Sequence, residues 1–135
     1  MATTITLQKG KKAEVEVLAT GVDFVCSYRI ELSRPTKPAW QLVGEGVNSD
    51  PGSPGNDRHD LPTPTGKLKL CLLRWILDMD PFELTGEPRY SAVVSLKQDG
   101  VVVPNGLFTY ADLLPKKNGK ATSEVIRQTI VLDVA

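Results

Sequence analysis

Residues 22–32 alternate between apolar and mostly polar side chains, and this pattern constrains the fold more than any other feature. The apolar phase consists of Val22, Phe24, Cys26, Tyr28, Ile30 and Leu32, and the other phase of Asp23, Val25, Ser27, Arg29 and Glu31. Because successive side chains of a strand point to opposite faces, the pattern predicts a strand with one buried face and one mostly solvated face. It indicates a sandwich or a barrel, and it carries no chemistry.

Other segments with β-strand character follow along the chain. They are residues 4–8, 13–17, 39–43, 90–97, 101–103, 107–110 and 126–134. The Asp99-Gly100 pair between two of them predicts a type I′ hairpin. A further turn is predicted at Pro104-Asn105-Gly106, and a polar loop over residues 112–122. The chain is therefore predicted to be all-β: an antiparallel β-sandwich of eight or nine strands, Ig-like or jelly-roll-like, with a partly open barrel as the alternative.

Residues 67–79 are ambiguous between a strand and a helix. Leucines at 68, 70 and 72 alternate with polar residues, and the apolar phase then shifts to Leu73, Trp75 and Leu77. A β-bulge or a strand buried on both faces would produce such a shift. Spacings of four and three residues also fit a helix. We predict a strand, because the flanking segments are strands.

Residues 44–66 are rich in Gly, Pro, Asn and Asp, which do not sustain a central strand or a helix. We predict one long loop inserted between strands of a single domain spanning residues 1–135. Loops of this length in a compact domain are usually functional or disordered.

The charge balance argues against two classes of partner. The 135 residues include 16 basic and 16 acidic side chains. Nucleic-acid binding and polybasic membrane binding both need an excess of Lys and Arg, so neither is expected. The N-terminus resembles no secretory signal, and no apolar run is long enough for a membrane helix. A cytoplasmic location is expected, with export by a non-classical route left open.

The two cysteines, Cys26 and Cys71, each lie inside an apolar run. We predict two buried free thiols, with a disulfide across the core as the alternative. A metal site on either one is not expected, because no second Cys or His lies nearby in sequence.

The long loop contains the side chains that chemistry would use. A hydrolase site on this loop would require a base beside carboxylates. His59 would be the base, and Asp57 and Asp60 would supply the carboxylates. Oxygen ligands for Ca²⁺ would come from Asn48, Asp50, Asn56, Asp57 and Asp60. The spacing matches no calcium-binding motif, so the expectation is that no cofactor is needed.

Two functional hypotheses follow. The first is a non-catalytic module for protein–protein interaction or self-association, in which Val25, Val93 and Val101 place apolar side chains on otherwise polar faces. The second is a module for carbohydrate or another small ligand. Its site would join Trp40 to the loop residues Asn48, Asp50, Asn56, Asp57, His59 and Asp60. A hydrolase is the third alternative.

Overall fold

The computed structural model of the chain describes residues 3–22, 24–48, 57–81 and 89–135. Nearly all of them lie in strands. The strands are β1 (Thr3–Leu7), β2 (Ala13–Val22), β3 (Phe24–Arg34), β4 (Lys37–Asn48), β5 (Arg58–Asp60), β6 (Leu72–Pro81), β7 (Arg89–Gln98), β8 (Val101–Leu113), β9 (Lys116–Lys117), β10 (Lys120–Ala121) and β11 (Glu124–Val134). A short 3₁₀ helix covers Thr65–Leu68.

These strands form two main sheets. A five-stranded sheet has the order β1-β11-β6-β3-β4, a four-stranded sheet has the order β5-β2-β7-β8, and β9 and β10 form a small hairpin. The pairing is antiparallel except between β1 and β11, which run parallel. The predicted β-sandwich is thus confirmed, and the described strands do not close into a barrel.

The core lies between the sheets and is built from one face of each strand. On β3, all five side chains at alternate positions from Phe24 to Leu32 are buried, as the alternation predicted. Strand β2 extends to Val22, so β3 begins at Phe24 instead of residue 22. Both cysteines are free and buried, which confirms the prediction of two reduced thiols.

The prediction of one long loop over residues 44–66 is wrong at both ends. Strand β4 continues through Asn48, and β5 and the 3₁₀ helix occupy most of residues 58–68. Gly44 and Gly46 are tolerated in β4 because side chains from neighbouring strands fill the space that their own side chains would take. Residues 49–56 lie outside the described part of the chain.

The phase shift in residues 67–79 has a different cause from the predicted bulge. Leu68 ends the 3₁₀ helix, and Leu70 has a left-handed φ of 64°. A regular strand then begins at Leu72, with Leu73, Trp75 and Leu77 buried. The strand prediction is confirmed from residue 72 onwards and is wrong for residues 67–71.

Two features of the C-terminal half concern turns. Asp99 and Gly100 both have positive φ, 53° and 74°, as a type I′ turn requires. Pro104-Asn105-Gly106 do not separate two strands as predicted, because they lie within β8; Asn105 nevertheless has a left-handed φ of 62°, and the pairing with β7 shifts in register there. The predicted polar loop 112–122 contains the β9–β10 hairpin.

Among the described residues, no helix has the length and apolar character needed to cross a membrane.

Candidate interaction surface

The outer face of the five-stranded sheet is the surface on which polar and apolar side chains are interleaved. We use the term outer face for side chains on β11, β6, β3 and β4 that point away from the core. Pairing aligns them in rows across the sheet. One row holds Val125, Asp78, Ser27 and Val47; the next holds Arg127, Ile76, Arg29 and Glu45; a third holds Thr129, Arg74, Glu31 and Leu42.

One end of the outer face is held by a charged cluster around Arg74. The Arg74 guanidinium lies 3.9 Å from the centroid of the Trp40 ring and donates to the Glu31 carboxylate at 2.8 Å. Arg29 lies 3.7 Å from the same carboxylate. Trp40 is therefore half-buried and covered on one side of its ring by Arg74, a cation–π contact.

A shallow groove of about 400 Å³ lies beside this cluster. Its lining includes Ser27, Arg29, Glu45, Val47, Ile76 and Asp78. The Oδ1 atom of Asp78 is buried and has no hydrogen-bond partner among the described residues. Burial raises the pKa of the Asp78 carboxyl above its usual range, and the neighbouring Asp80 carboxylate adds to the rise.

Apolar side chains lie exposed around the groove. Val47 is 66% exposed, Leu42 49% and Val125 48%, although all three belong to strands of the sandwich. Val47 and Val125 lie at the two ends of one row, on either side of Asp78 and Ser27. The outer face therefore combines a polar centre with apolar side chains on either side of it, a mixture found in many protein contact surfaces.

The predicted loop histidine is half-buried at the seam where β4 and β5 meet. His59 Nε2 and the Tyr28 hydroxyl are hydrogen bonded at 2.7 Å, and the two rings pack edge to face with centroids 5.5 Å apart. The imidazole fills the space over Gly44, and the Tyr28 ring fills the space over Gly46. His59 thus joins the two sheets.

The structure does not bring Trp40 and the described loop residues into one site. Trp40 lies on the outer face of β4 with Arg74, whereas His59 lies against its inner face. Asp60 pairs with Lys12 at 2.9 Å on the surface, and Asp57 is only 4% exposed. Asn48 ends β4, and Asp50 and Asn56 are outside the described residues. Within the described residues, no three or more His, Cys, Asp or Glu side chains are arranged to hold a metal ion.

The three predicted interface valines lie in three different places. Val25 is half-buried on the outer face of β3. Val93 lies on the outside of the four-stranded sheet, opposite Leu18 and Thr109. Val101, which is 67% exposed, follows the hairpin turn at Asp99-Gly100.

Sequence reasoning missed Val47, Asp78, Glu45 and Val125 as members of one surface. The signal available for Val125 was an apolar side chain in the solvated phase of a strand, whereas Val47 lay in the residues predicted as a loop and gave no such signal. Their grouping depends on pairing between strands far apart in sequence, so alternation within one strand does not reveal it.

We expect the free energy of unfolding to fall steeply at alkaline pH. Burial is the largest cause that raises the pKa of Tyr28, Tyr90 and Cys26 to about 12. The ordinary pKa values are 10.0 for tyrosine and 9.0 for cysteine. The unfolded chain therefore loses these protons at lower pH than the folded chain. The stabilisation is fully present below about pH 9 and is lost as the pH rises towards 12.

Urea unfolding at about pH 8 and about pH 11 measures this loss, and Tyr28→Phe tests one contribution. Each shifted group contributes about 1.4 kcal/mol per pH unit between its two pKa values, so the variant should lose about 1 kcal/mol less than the wild type between the two conditions. An equal loss in both proteins would show that Tyr28 does not titrate with folding.

No protein-family model matches this chain, and no curated protein is significantly similar to it. One solved structure with a similar fold is a domain of unknown function, DUF4425, from Bacteroides vulgatus ATCC 8482. It is 12% identical with a TM-score of 0.47, covering 91% of this chain and 96% of that one. A DUF4425 family protein from Bacteroides ovatus ATCC 8483 is 9% identical with a TM-score of 0.44, covering 88% and 94%. Similarity this low carries no argument about family or function.

Proposed function

We propose that this chain is a non-catalytic, self-associating β-sandwich module, and that the outer face of its five-stranded sheet is the contact surface. The observation that carries the proposal is the exposure of Val47, Leu42 and Val125 on that face. Side chains on a sandwich's solvated face are normally polar, so three exposed apolar side chains on one such face indicate a surface that is covered in the assembled state. A cytoplasmic location stays a prediction that accompanies this proposal.

The charges on the outer face suit contact with another copy. Arg29, Arg74 and Arg127 occur beside Glu45 and Asp78, so the face presents both signs of charge. A mixed face offers both signs of charge at its contact, so a second copy can place unlike charges opposite it. The chain as a whole has no formal net charge, so copies do not repel one another strongly at neutral pH.

The residues that catalysis would use are engaged in structural contacts. Burial raises the pKa of the Cys26 thiol to about 12, so it is protonated and unreactive at neutral pH. His59 Nε2 is hydrogen bonded to Tyr28 in the seam between the sheets. Cys26 is buried and the His59 ring is engaged with Tyr28, which supports a module that binds.

Val47→Arg tests the proposal, because it places a bulky charge at the most exposed apolar position of the outer face. We expect wild-type protein to form assemblies that Val47→Arg weakens by at least tenfold in dissociation constant, about 1.4 kcal/mol. Sedimentation velocity over a concentration series measures the change.

Val101→Arg is the matched control, since Val101 is equally exposed, at 67%, but lies on β8 of the other sheet. It should associate as the wild type does. A wild type that stays monomeric at all concentrations would overturn the proposal. An equal effect of the two arginines would assign the contact to another surface.

A further inference from the structure

The β9–β10 hairpin presents two lysines at directly opposite positions of its two strands. Lys117 and Lys120 are directly opposite in the two-strand pairing, joined by Asn118 and Gly119, which have positive φ of 55° and 75°. Like charges directly opposite on paired strands destabilise each other. Both side chains are exposed, and neither forms an ion pair with a described residue. A carboxylate partner placed between them would relieve this repulsion.

The groove on the outer face presents the opposite charge. Asp78 has a buried carboxylate oxygen without a described hydrogen-bond partner, and Glu45 forms no ion pair among the described residues. The cation in the groove lining is Arg29, and its guanidinium lies 3.7 Å from the Glu31 carboxylate, outside the groove. The groove therefore holds two carboxylates and an apolar wall of Val47 and Ile76. An ammonium group on an aliphatic stem fits both features, since the stem packs on the valine and isoleucine.

We propose that the β9–β10 hairpin of one copy docks in the outer-face groove of a second copy, with Lys117 and Lys120 directed at Asp78 and Glu45. This inference rests on the proposed function and names what the second copy places on the contact surface. Leu113, which precedes the hairpin in sequence, contributes an exposed apolar side chain to the same segment. The two lysines and the two carboxylates are complementary in charge, and none of the four forms an ion pair with a described residue.

The contact is head-to-tail, because the hairpin and the groove are different surfaces of the same molecule. A head-to-tail contact leaves one hairpin and one groove unoccupied at the ends of every open assembly. Copies therefore add successively, into a ring if the rotation closes and into a filament if it does not. Charge pairs at the contact make the association sensitive to salt.

Two variants, each lacking one half of the contact, test the inference when they are mixed. The hairpin variant is Lys117→Glu with Lys120→Glu, and the groove variant is Asp78→Asn with Glu45→Gln. Each alone should associate at least tenfold more weakly than the wild type. A one-to-one mixture pairs the intact groove of one variant with the intact hairpin of the other, so heterodimers should form and grow no further. Sedimentation velocity and light scattering report both results.

The control is Lys9→Glu with Lys67→Glu, which makes the same charge change at two exposed lysines on other elements and should associate as the wild type does. If the groove variant does not fold, Val47→Arg replaces it in the mixture. A monomeric wild type would overturn the proposed function itself. An associating wild type with an unaffected hairpin variant, or a mixture that stays monomeric, would overturn only the docking of hairpin into groove.

Discussion

Replacing Trp75 with alanine is expected to lower the free energy of unfolding by about 3–5 kcal/mol. Trp75 is fully buried on β6, at the centre of the five-stranded sheet. Truncation removes its apolar surface from the core and leaves a cavity that the rigid sheets around it fill only in part.

The expected loss is large because Trp75 links the two sheets. Its ring packs edge to face on Phe108 of β8, with centroids 4.8 Å apart. Its indole N–H donates to the Tyr110 hydroxyl at 3.0 Å, also on β8. Alanine at this position removes the aromatic contact and leaves the Tyr110 hydroxyl without its indole donor.

Trp40→Ala is the matched control, since it removes the same side chain from the outer face. Trp40 is half-buried, and its main described contact is the cation–π pair with Arg74, worth about 0.5–1 kcal/mol. Urea unfolding followed by circular dichroism gives both values. Similar losses for the two variants would contradict the central packing role of Trp75.

The parts of the fold predicted from sequence are those that local patterns determine. Alternation over residues 24–32 reports burial directly, because the period of side-chain direction along a strand is two. The Asp99-Gly100 turn was predictable because both residues accept the positive φ that the turn needs. Neither inference requires knowledge of any other part of the chain.

The missed features depend on contacts between distant segments. Gly44 and Gly46 indicate a loop when only local propensity is considered, yet they lie in a strand because Tyr28 and His59 occupy the space beside them. The parallel pairing of β1 with β11 joins the two ends of the chain. No pattern inside either segment indicates its partner.

The candidate interaction surface also depends on contacts between distant segments. Val47, Asp78 and Val125 come from three strands and lie in one row only through the registers of β4, β3, β6 and β11. An apolar residue in the solvated phase of a strand indicates an interface, and from the sequence this reasoning selected Val25, Val93 and Val101. Choosing among such residues required knowing which of them are neighbours.

Gly44→Ala is expected to lower the free energy of unfolding by about 2–4 kcal/mol, although it adds a single methyl group. A Cβ at this position would lie 2.5 Å from Cγ of the His59 ring, much closer than van der Waals contact. The imidazole would have to move, and its hydrogen bond to the Tyr28 hydroxyl would break. The hydrogen bond between His59 and Tyr28, one of the contacts that join the two sheets, would then be lost.

A double-mutant cycle with His59→Ala isolates this clash. Once the ring is removed, Gly44→Ala should be neutral or stabilise by up to about 1 kcal/mol, because alanine restricts the unfolded chain and Gly44 needs no positive φ. Gly66→Ala is the control: its Cβ would lie 3.5 Å from Lys9 Cε, an ordinary contact, so the change should stay within about 0.5 kcal/mol. Equal effects of Gly44→Ala with and without His59 would show that the glycine is required for another reason.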